Sequence, residues 1–268
     1  MVITHFHKFG DVVLGRPLQA KRQEDEQEAD FWKRMDETLL AEVKKLKPGT
    51  YPLFDAIIVD EAQDLTRTQL KCLMRFCNSR GGKVILFSDA EQNIYRDRLN
   101  EDALRGIFRE LKVQRLSVNL RNPKPVVEYC RKLVPAERDV QIVLNGPAIM
   151  HRELKKDEIN AFLKDEVFAH YNPRDVAVIS PEAKLLDGLQ TGTATSFYGP
   201  DDSLSKTEKN LKAWNENRCA WKSTTHAFKG LEVMAVVHIL PQTYSSDAIK
   251  YVGGSRATFQ LFLISIIK

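Results

Sequence analysis

Two adjacent carboxylates, Asp60 and Glu61, close the short apolar run Asp55-Ala56-Ile57-Ile58-Val59. A strand ending in such a pair can aim one carboxylate at a magnesium ion and the next at a water, which is what phosphoryl transfer requires. The same residues also fit a plainer reading, an acidic helix cap, because Asp64 and Thr66 both suit the position before a helix. One strand further on, Ser88-Asp89-Ala90-Glu91-Gln92-Asn93-Ile94-Tyr95-Arg96 again hangs polar groups off a strand end, where a neutral amide can sense a terminal phosphate. Three later strings are Asn119-Leu120-Arg121-Asn122-Pro123, Ser223-Thr224-Thr225-His226-Ala227-Phe228-Lys229-Gly230-Leu231-Glu232 and Tyr251-Val252-Gly253-Gly254-Ser255-Arg256-Ala257. The guanidinium groups in them, on Arg121 and Arg256, are planar, permanently charged and suited to spreading phosphoryl charge.

These residues need a scaffold of alternating strands and helices. Between Lys21 and Lys47 apolar residues recur every three or four positions, from Phe31 through Met35, Leu39 and Val43 to Leu46, which is the period of an amphipathic helix. Lys47-Pro48-Gly49 stops it. The run 55–59 is rich in β-branched residues and too short for a helix, so it reads as a buried strand. A helix over about 66–78 and a second buried strand over 83–87 follow. Further strands are expected at 115–118, 140–144, 175–179, 194–197, 233–239 and 259–264, and helices at 125–133, 156–169 and 205–216. The alternation predicts an α/β fold of two lobes, 1–114 and 115–268, both inside the usual domain range.

In order and spacing, the strings at 60–64, 88–96, 119–123, 223–232 and 251–257 resemble motifs II to VI of superfamily 1 helicases of the UvrD/Rep type. Asp60-Glu61-Ala62-Gln63-Asp64 and the H-x-x-K-G-L-E string at 226–232 are the most specific matches. The resemblance implies two RecA-like P-loop NTPase lobes, with motifs Ib, II and III on the first and IV, V and VI on the second. It also implies ATP between the lobes and single-stranded DNA across their tops. On this likeness Asp60 binds Mg2+, Glu61 orients the attacking water and Gln92 couples the γ-phosphate to DNA. Arg121 and Arg256 act as arginine fingers, Glu232 meets the ribose, and Lys229 and Gly230 belong to the nucleotide side. Thr225 and His226 face DNA, as does Tyr95. At the start, His5-Phe6-His7 resembles a T-F-H string that touches DNA, with His5 in place of Thr, so Phe6 and His7 join the DNA-binding set; a core-facing first strand explains the same residues.

The family's G-x-x-x-x-G-K-[ST] loop, the Walker A element, does not occur in the 268 residues. The only Gly-Lys pair, Gly82-Lys83, has Cys77 at the first Gly position and Val84 at the hydroxyl position, and it opens a strand. The first lobe is therefore expected to be incomplete at its N-terminus, with an unpaired apolar edge that a further segment or partner chain supplying the P-loop strand covers. ATP and Mg2+ become cofactors only when that element is present. Other departures are Arg96-Asp97 after Tyr95, where an aromatic ring usually stacks on a base, Leu120 in place of an adenine-stacking Tyr, and Gly253-Gly254-Ser255 where Ala-Leu-Thr is usual, a change expected to make that turn more flexible. There is no room for the large accessory domains of full UvrD-like enzymes.

Composition limits the alternatives. At 43% hydrophobic and 28% charged the chain is globular rather than disordered, and its net charge of +4 permits nucleic acid without arguing for it. Cys72, Cys77, Cys130 and Cys219 form no C-x-x-C pair or zinc spacing, which points to a reducing, cytoplasmic setting. The late apolar stretch 261–267 is far below the ~20 residues of a membrane span. Trp214 and Trp221 are expected to be packing residues, and His151, His170 and His238 ordinary ones. Two functions remain: an ATP-dependent DNA helicase or translocase core completed by an upstream P-loop segment, and a degenerate helicase-like subunit that binds DNA or a partner without ATPase activity. Likeness to helicase-like subunits of bacterial antiviral systems adds a nuclease to the expected partners.

Overall fold

The computed structural model describes residues 2, 4–18, 22–23, 25–47, 49–78, 81–89, 101–108, 110–134, 140–190, 212 and 214–267. The chain divides into two compact units, Met1–Val113 and Gln114–Lys268. Both are α/β, and among the described residues every strand pairing is parallel.

The first unit opens with a helix where a strand was one expectation for the T-F-H-like string: α1 spans Phe6–Leu14. Phe6, Phe9 and Val13 fall at helical spacing and pack into the core, His5 caps the first turn by accepting from the Lys8 N–H, and Gly15 closes it with φ 66°. Helix α2, Glu28–Lys45, carries the apolar period that starts at Phe31, and Arg34 in its second turn reaches back to Glu26 at 2.6 Å. Its Leu39 lies against Gly10 of α1, closely enough that a Cβ there would sit 2.8 Å from the Leu39 side chain. Strand β1, Ala56–Val59, pairs with β2, Lys83–Leu86, through helix α3, Arg67–Met74, whose N-cap Thr66 forms a capping box with Gln69. Helix α4, Glu101–Arg105, follows.

The strand at 56–59 is buried on one face only. Ile57 and Val59 join the core built by α1, α2 and α3, but Ile58 is 65% exposed, and Ile85 and Phe87 are exposed with it. Parallel sheets are normally covered on both faces. Among the described residues, nothing covers this apolar side of β1 and β2.

The second unit holds the short pair β3, Val118–Asn119, and β4, Gln141–Ile142, followed by a five-stranded sheet. Its strands are β5, Met150–Leu154; β6, Val176–Ser180; β7, Trp221–Thr224; β8, Val233–Pro241; and β9, Ala257–Ile266, in the order β5-β9-β8-β6-β7. Helix α5, Lys124–Leu133, precedes the sheet; α6, Ile159–Phe162, runs on into a wider turn, Leu163–Val167; and α7, Asp247–Gly254, joins β8 to β9. One sheet face packs Val178, Val237 and Phe262 against Ile159, Phe162 and Leu163. Helices α5 and α7 pack against each other, α7 against β8 and β9, and α5 against β9. The strand expected at 194–197 and most of the helix at 205–216 lie outside the described residues. No helix of the described residues is long and apolar enough to cross a membrane.

Candidate functional site

In the first unit the two polar turns are neighbours because β1 and β2 run parallel and end together. Asp60 is exposed and accepts the Glu61 N–H at 2.9 Å through Oδ1. Glu61 itself adopts φ 49°, ψ 44°, a left-handed conformation that non-glycine residues hold at a cost of order 1–3 kcal/mol and that clusters at functional turns. What holds it is Gln63, fully buried, whose Nε2 donates to Glu61 Oε2 while its Oε1 accepts the Asp89 N–H at 3.0 Å. The backbone is tied as well, Ala62 N–H donating to the Phe87 carbonyl and Phe87 N–H to that of Val59, both at 2.8 Å. Gln63 was not singled out in the sequence. Its signal there is only its place inside the acidic string.

An exposed carboxylate with one oxygen engaged and the other available suits Mg2+, which is commonly held by one or two protein carboxylates together with waters and phosphate oxygens. No group of three or more His, Cys, Asp or Glu side chains among the described residues makes a closed metal cage. Asp60 is thus a fitting single ligand. Gln92 and Tyr95 lie outside the described residues, as does the His7 side chain, and Phe6 is half-buried against the first unit's core.

In the second unit the structure brings Arg121 and Glu232 together, with Arg121 Nε 2.6 Å from Glu232 Oε2 and both side chains about half exposed, at 45% and 52%. The turn carrying Arg121 is set by Asn119, whose Oδ1 accepts the N–H groups of Arg121 and Asn122 at 3.0 and 2.8 Å. Asn122, buried, donates from Nδ2 to the carbonyls of Ser255 and Ala257 at 2.9 and 2.8 Å, so the two arginine strings are joined side chain to backbone. Gly230 turns the Lys229-Gly230-Leu231 loop at φ 82°, a conformation open to glycine and strained for other residues. Lys229 is half-buried.

Two expected roles change. Arg256 does not project as a finger: it is 1% exposed, and its Nε, Nη1 and Nη2 donate to the Val252 carbonyl, the Leu231 carbonyl and Ser255 Oγ at 3.1 to 3.3 Å. Thr225 is fully buried rather than presented to DNA, and its Oγ1 lies 3.2 Å from His238 Nε2. His226, next in the chain, is exposed, and partial desolvation lowers its imidazole pKa. The expected flexible turn at Gly253-Gly254 is instead the buried last turn of α7. A Cβ on Gly253 would collide with the His238 ring, and one on Gly254 would sit 2.8 Å from Tyr129 Cε1. The glycines are there because two rings occupy the space of their side chains. As expected, Trp214 and Trp221 pack on each other, edge to face at 5.7 Å.

His238, read as ordinary, is fully buried, and burial pushes its pKa down to about 3. A histidine held neutral in the fold but free to charge near pH 6.5 when unfolded contributes stability that is complete above about pH 6.5 and is lost as pH falls toward 3. Moving from pH 7.5 to pH 5 should therefore cost the second unit roughly 2 kcal/mol. Urea melts at both pH values check this: the midpoint should fall at pH 5, and His238→Gln should reduce that fall. An equal fall in the variant would remove His238 as the cause.

Residues 3–102 match the family model of the UvrD/REP helicase N-terminal domain, which bears out the resemblance for the part of the chain carrying Asp60 and Glu61. No curated protein sequence matches the chain. Among solved structures, the arterivirus nonstructural protein 10 helicase in complex with DNA is 14% identical, the alignment covering 78% of this chain and 39% of that one at a TM-score of 0.43. The PRRSV helicase is 12% identical over 78% and 34%, TM-score 0.43. The C-terminal domain of a possible DNA helicase from Lactobacillus plantarum is 13% identical over 55% and 86%, TM-score 0.38. The chain spans under two-fifths of the two viral proteins, and at these scores nothing about function follows from the likeness.

Proposed function

We propose that the chain is part of a UvrD-like, ATP-dependent nucleic-acid translocase or helicase core, and that it hydrolyses ATP when a Walker A segment is supplied. The observation that carries this reading is the Asp60-Glu61 turn at the carboxyl end of β1, braced by buried Gln63, within the segment that matches the UvrD/REP helicase N-terminal domain. Asp60 would hold the metal. When bound, Mg2+ neutralises phosphate charge and orients the nucleotide. Glu61, fixed by Gln63, accepts a hydrogen bond from the attacking water and aligns it. Arg121 leaves Glu232 for the γ-phosphate, and Glu232 is then free to accept from a ribose hydroxyl. Arg256 serves by holding the turn between α7 and β9 rather than by touching phosphate. A segment or partner supplying the P-loop strand would pair along an edge of the two-stranded β1-β2 sheet.

A second reading, a helicase-like subunit that binds DNA or a partner without turnover, is favoured by Arg96-Asp97 after Tyr95, where an aromatic ring usually stacks on a base. Binding to single strands is compatible with both readings and separates them from a chain that binds only a protein partner. The chain should bind labelled oligonucleotides weakly and lose affinity steeply with salt, because phosphate contacts dominate and a net charge of +4 supplies only a modest term. Asp97→Trp should tighten binding, a stacked base contributing ~1–3 kcal/mol, with little change in salt slope. Fluorescence anisotropy across a salt series measures both. If neither protein binds at low salt, the partner-binding reading replaces the helicase one.

A further inference from the structure

We infer that His238 is a positioning residue for the loop Thr225–Lys229, holding Thr225 through its ring nitrogen while its own ring is seated on α7 at Gly253. The inference rests on the proposed function for what the loop meets, but the positioning stands on geometry alone. His238 lies on β8, the central strand, paired with Ile179 of β6 and Leu263 of β9. Its neighbours Val237 and Ile239 point into the apolar core on one side, so the alternation of a strand turns His238 to the other. There α7 leaves room for an imidazole only because residue 253 is glycine.

The imidazole is costly in that place unless it does something. It is fully buried, and its Nδ1 has no hydrogen-bond partner among the described residues, a deficit that an aliphatic side chain of similar size would not carry. What it offers in return is Nε2, 3.2 Å from Thr225 Oγ1. Thr225 is the first residue after β7, and its own N–H donates to the Ser180 carbonyl at the end of β6. Thr225 is therefore gripped by main chain and side chain at the point where the chain leaves the sheet and turns outward to exposed His226. The loop's starting direction depends on His238, and the seat of His238 depends on α7, the helix that leads into Arg256. A side chain buried in the sheet thus connects the loop expected to meet nucleic acid with the arginine-bearing turn.

Three variants of the full chain test this, each read by amide hydrogen exchange at residues 225–229 and by anisotropy with a labelled single-stranded oligonucleotide. His238→Leu fills the site but cannot bond to Thr225. Thr225→Val removes the hydroxyl with little change in shape, and guards against a His238→Leu protein that fails to fold. His238→Gln keeps an amide near the Nε2 position. Exchange in the loop should quicken about tenfold in His238→Leu and Thr225→Val, the order expected for losing one buried hydrogen bond, and affinity should fall severalfold. His238→Gln should stay near the parent in both readouts, a rescue that a merely space-filling histidine would not predict. Unchanged exchange in both His238→Leu and Thr225→Val, or a His238→Gln protein that behaves like His238→Leu, overturns the inference. If exchange responds but the parent does not bind the oligonucleotide, the positioning role holds and the nucleic-acid reading fails.

Discussion

Arg121→Ala is expected to lower ATP turnover by about a thousandfold or more in a chain completed with a Walker A segment, the scale on which arginine fingers act. A group that meets charge chiefly as the phosphoryl group transfers lowers the barrier without adding equal ground-state affinity, so nucleotide binding should change far less than rate. The fold should not notice. Arg121 and Glu232 are about half exposed, and a pair of that kind contributes at most about 1 kcal/mol. Arg256→Ala should behave in the opposite way: removing a buried guanidinium leaves the Leu231 and Val252 carbonyls without these donors, at about 1–3 kcal/mol for each group left unsatisfied. Urea melts and single-turnover hydrolysis on the two variants separate the roles. A loss below about tenfold in Arg121→Ala, the range of an ordinary surface charge, would exclude it from the site.

Gly253→Ala should be the most damaging small substitution in the second unit. The added methyl would meet three atoms of the His238 ring, Nε2 at 2.8 Å among them, and that ring is enclosed between the central strand and α7. Overpacking of a core costs about 1–3 kcal/mol and more where nothing can yield, which in a unit of this size lowers Tm by roughly 2–12 °C. His238→Ala in the same chain removes the obstacle, so the double variant should be more stable than Gly253→Ala alone, although His238→Ala by itself leaves a cavity. Calorimetry on the four proteins closes the cycle. Additive losses would mean that the two residues do not share this space.

The elements that carry the acidic turn were legible because their signals are local. The β-branched run 56–59 and the Thr66 cap are each written within one element and both form where read, although the strand, expected to be buried, is covered on one face only. The α1 helix was open to misreading because its apolar spacing, Phe6, Phe9 and Val13, is too short a record to outweigh a strand-like start. Strands β5 and β7 carry too few apolar residues to stand out, and gain their place from pairing with β9 and β6. The bonds that shape the candidate site span long stretches of sequence: Gln63 to Asp89, Asn122 to Ser255 and Ala257, Thr225 to His238. None of these follows from spacing. The same holds for Arg256, whose residue type suits a phosphate but whose burial depends on how α7 meets β9.

On the proposed function, Asp60 and Glu61 form half of an ATP site whose phosphate cradle is not among these 268 residues. Steady-state phosphate release with Mg2+, ATP and single-stranded DNA tests it most directly. It is measured on the chain alone, on the chain joined to an upstream segment carrying G-x-x-x-x-G-K-[ST], and on that joined protein with Glu61→Gln. The chain alone should show no turnover above background, the joined protein should show DNA-stimulated turnover, and Glu61→Gln should reduce it by a factor of about a hundred or more. Turnover by the chain alone that Glu61→Gln abolishes would contradict the missing cradle, and a joined protein indifferent to Glu61→Gln would contradict the site.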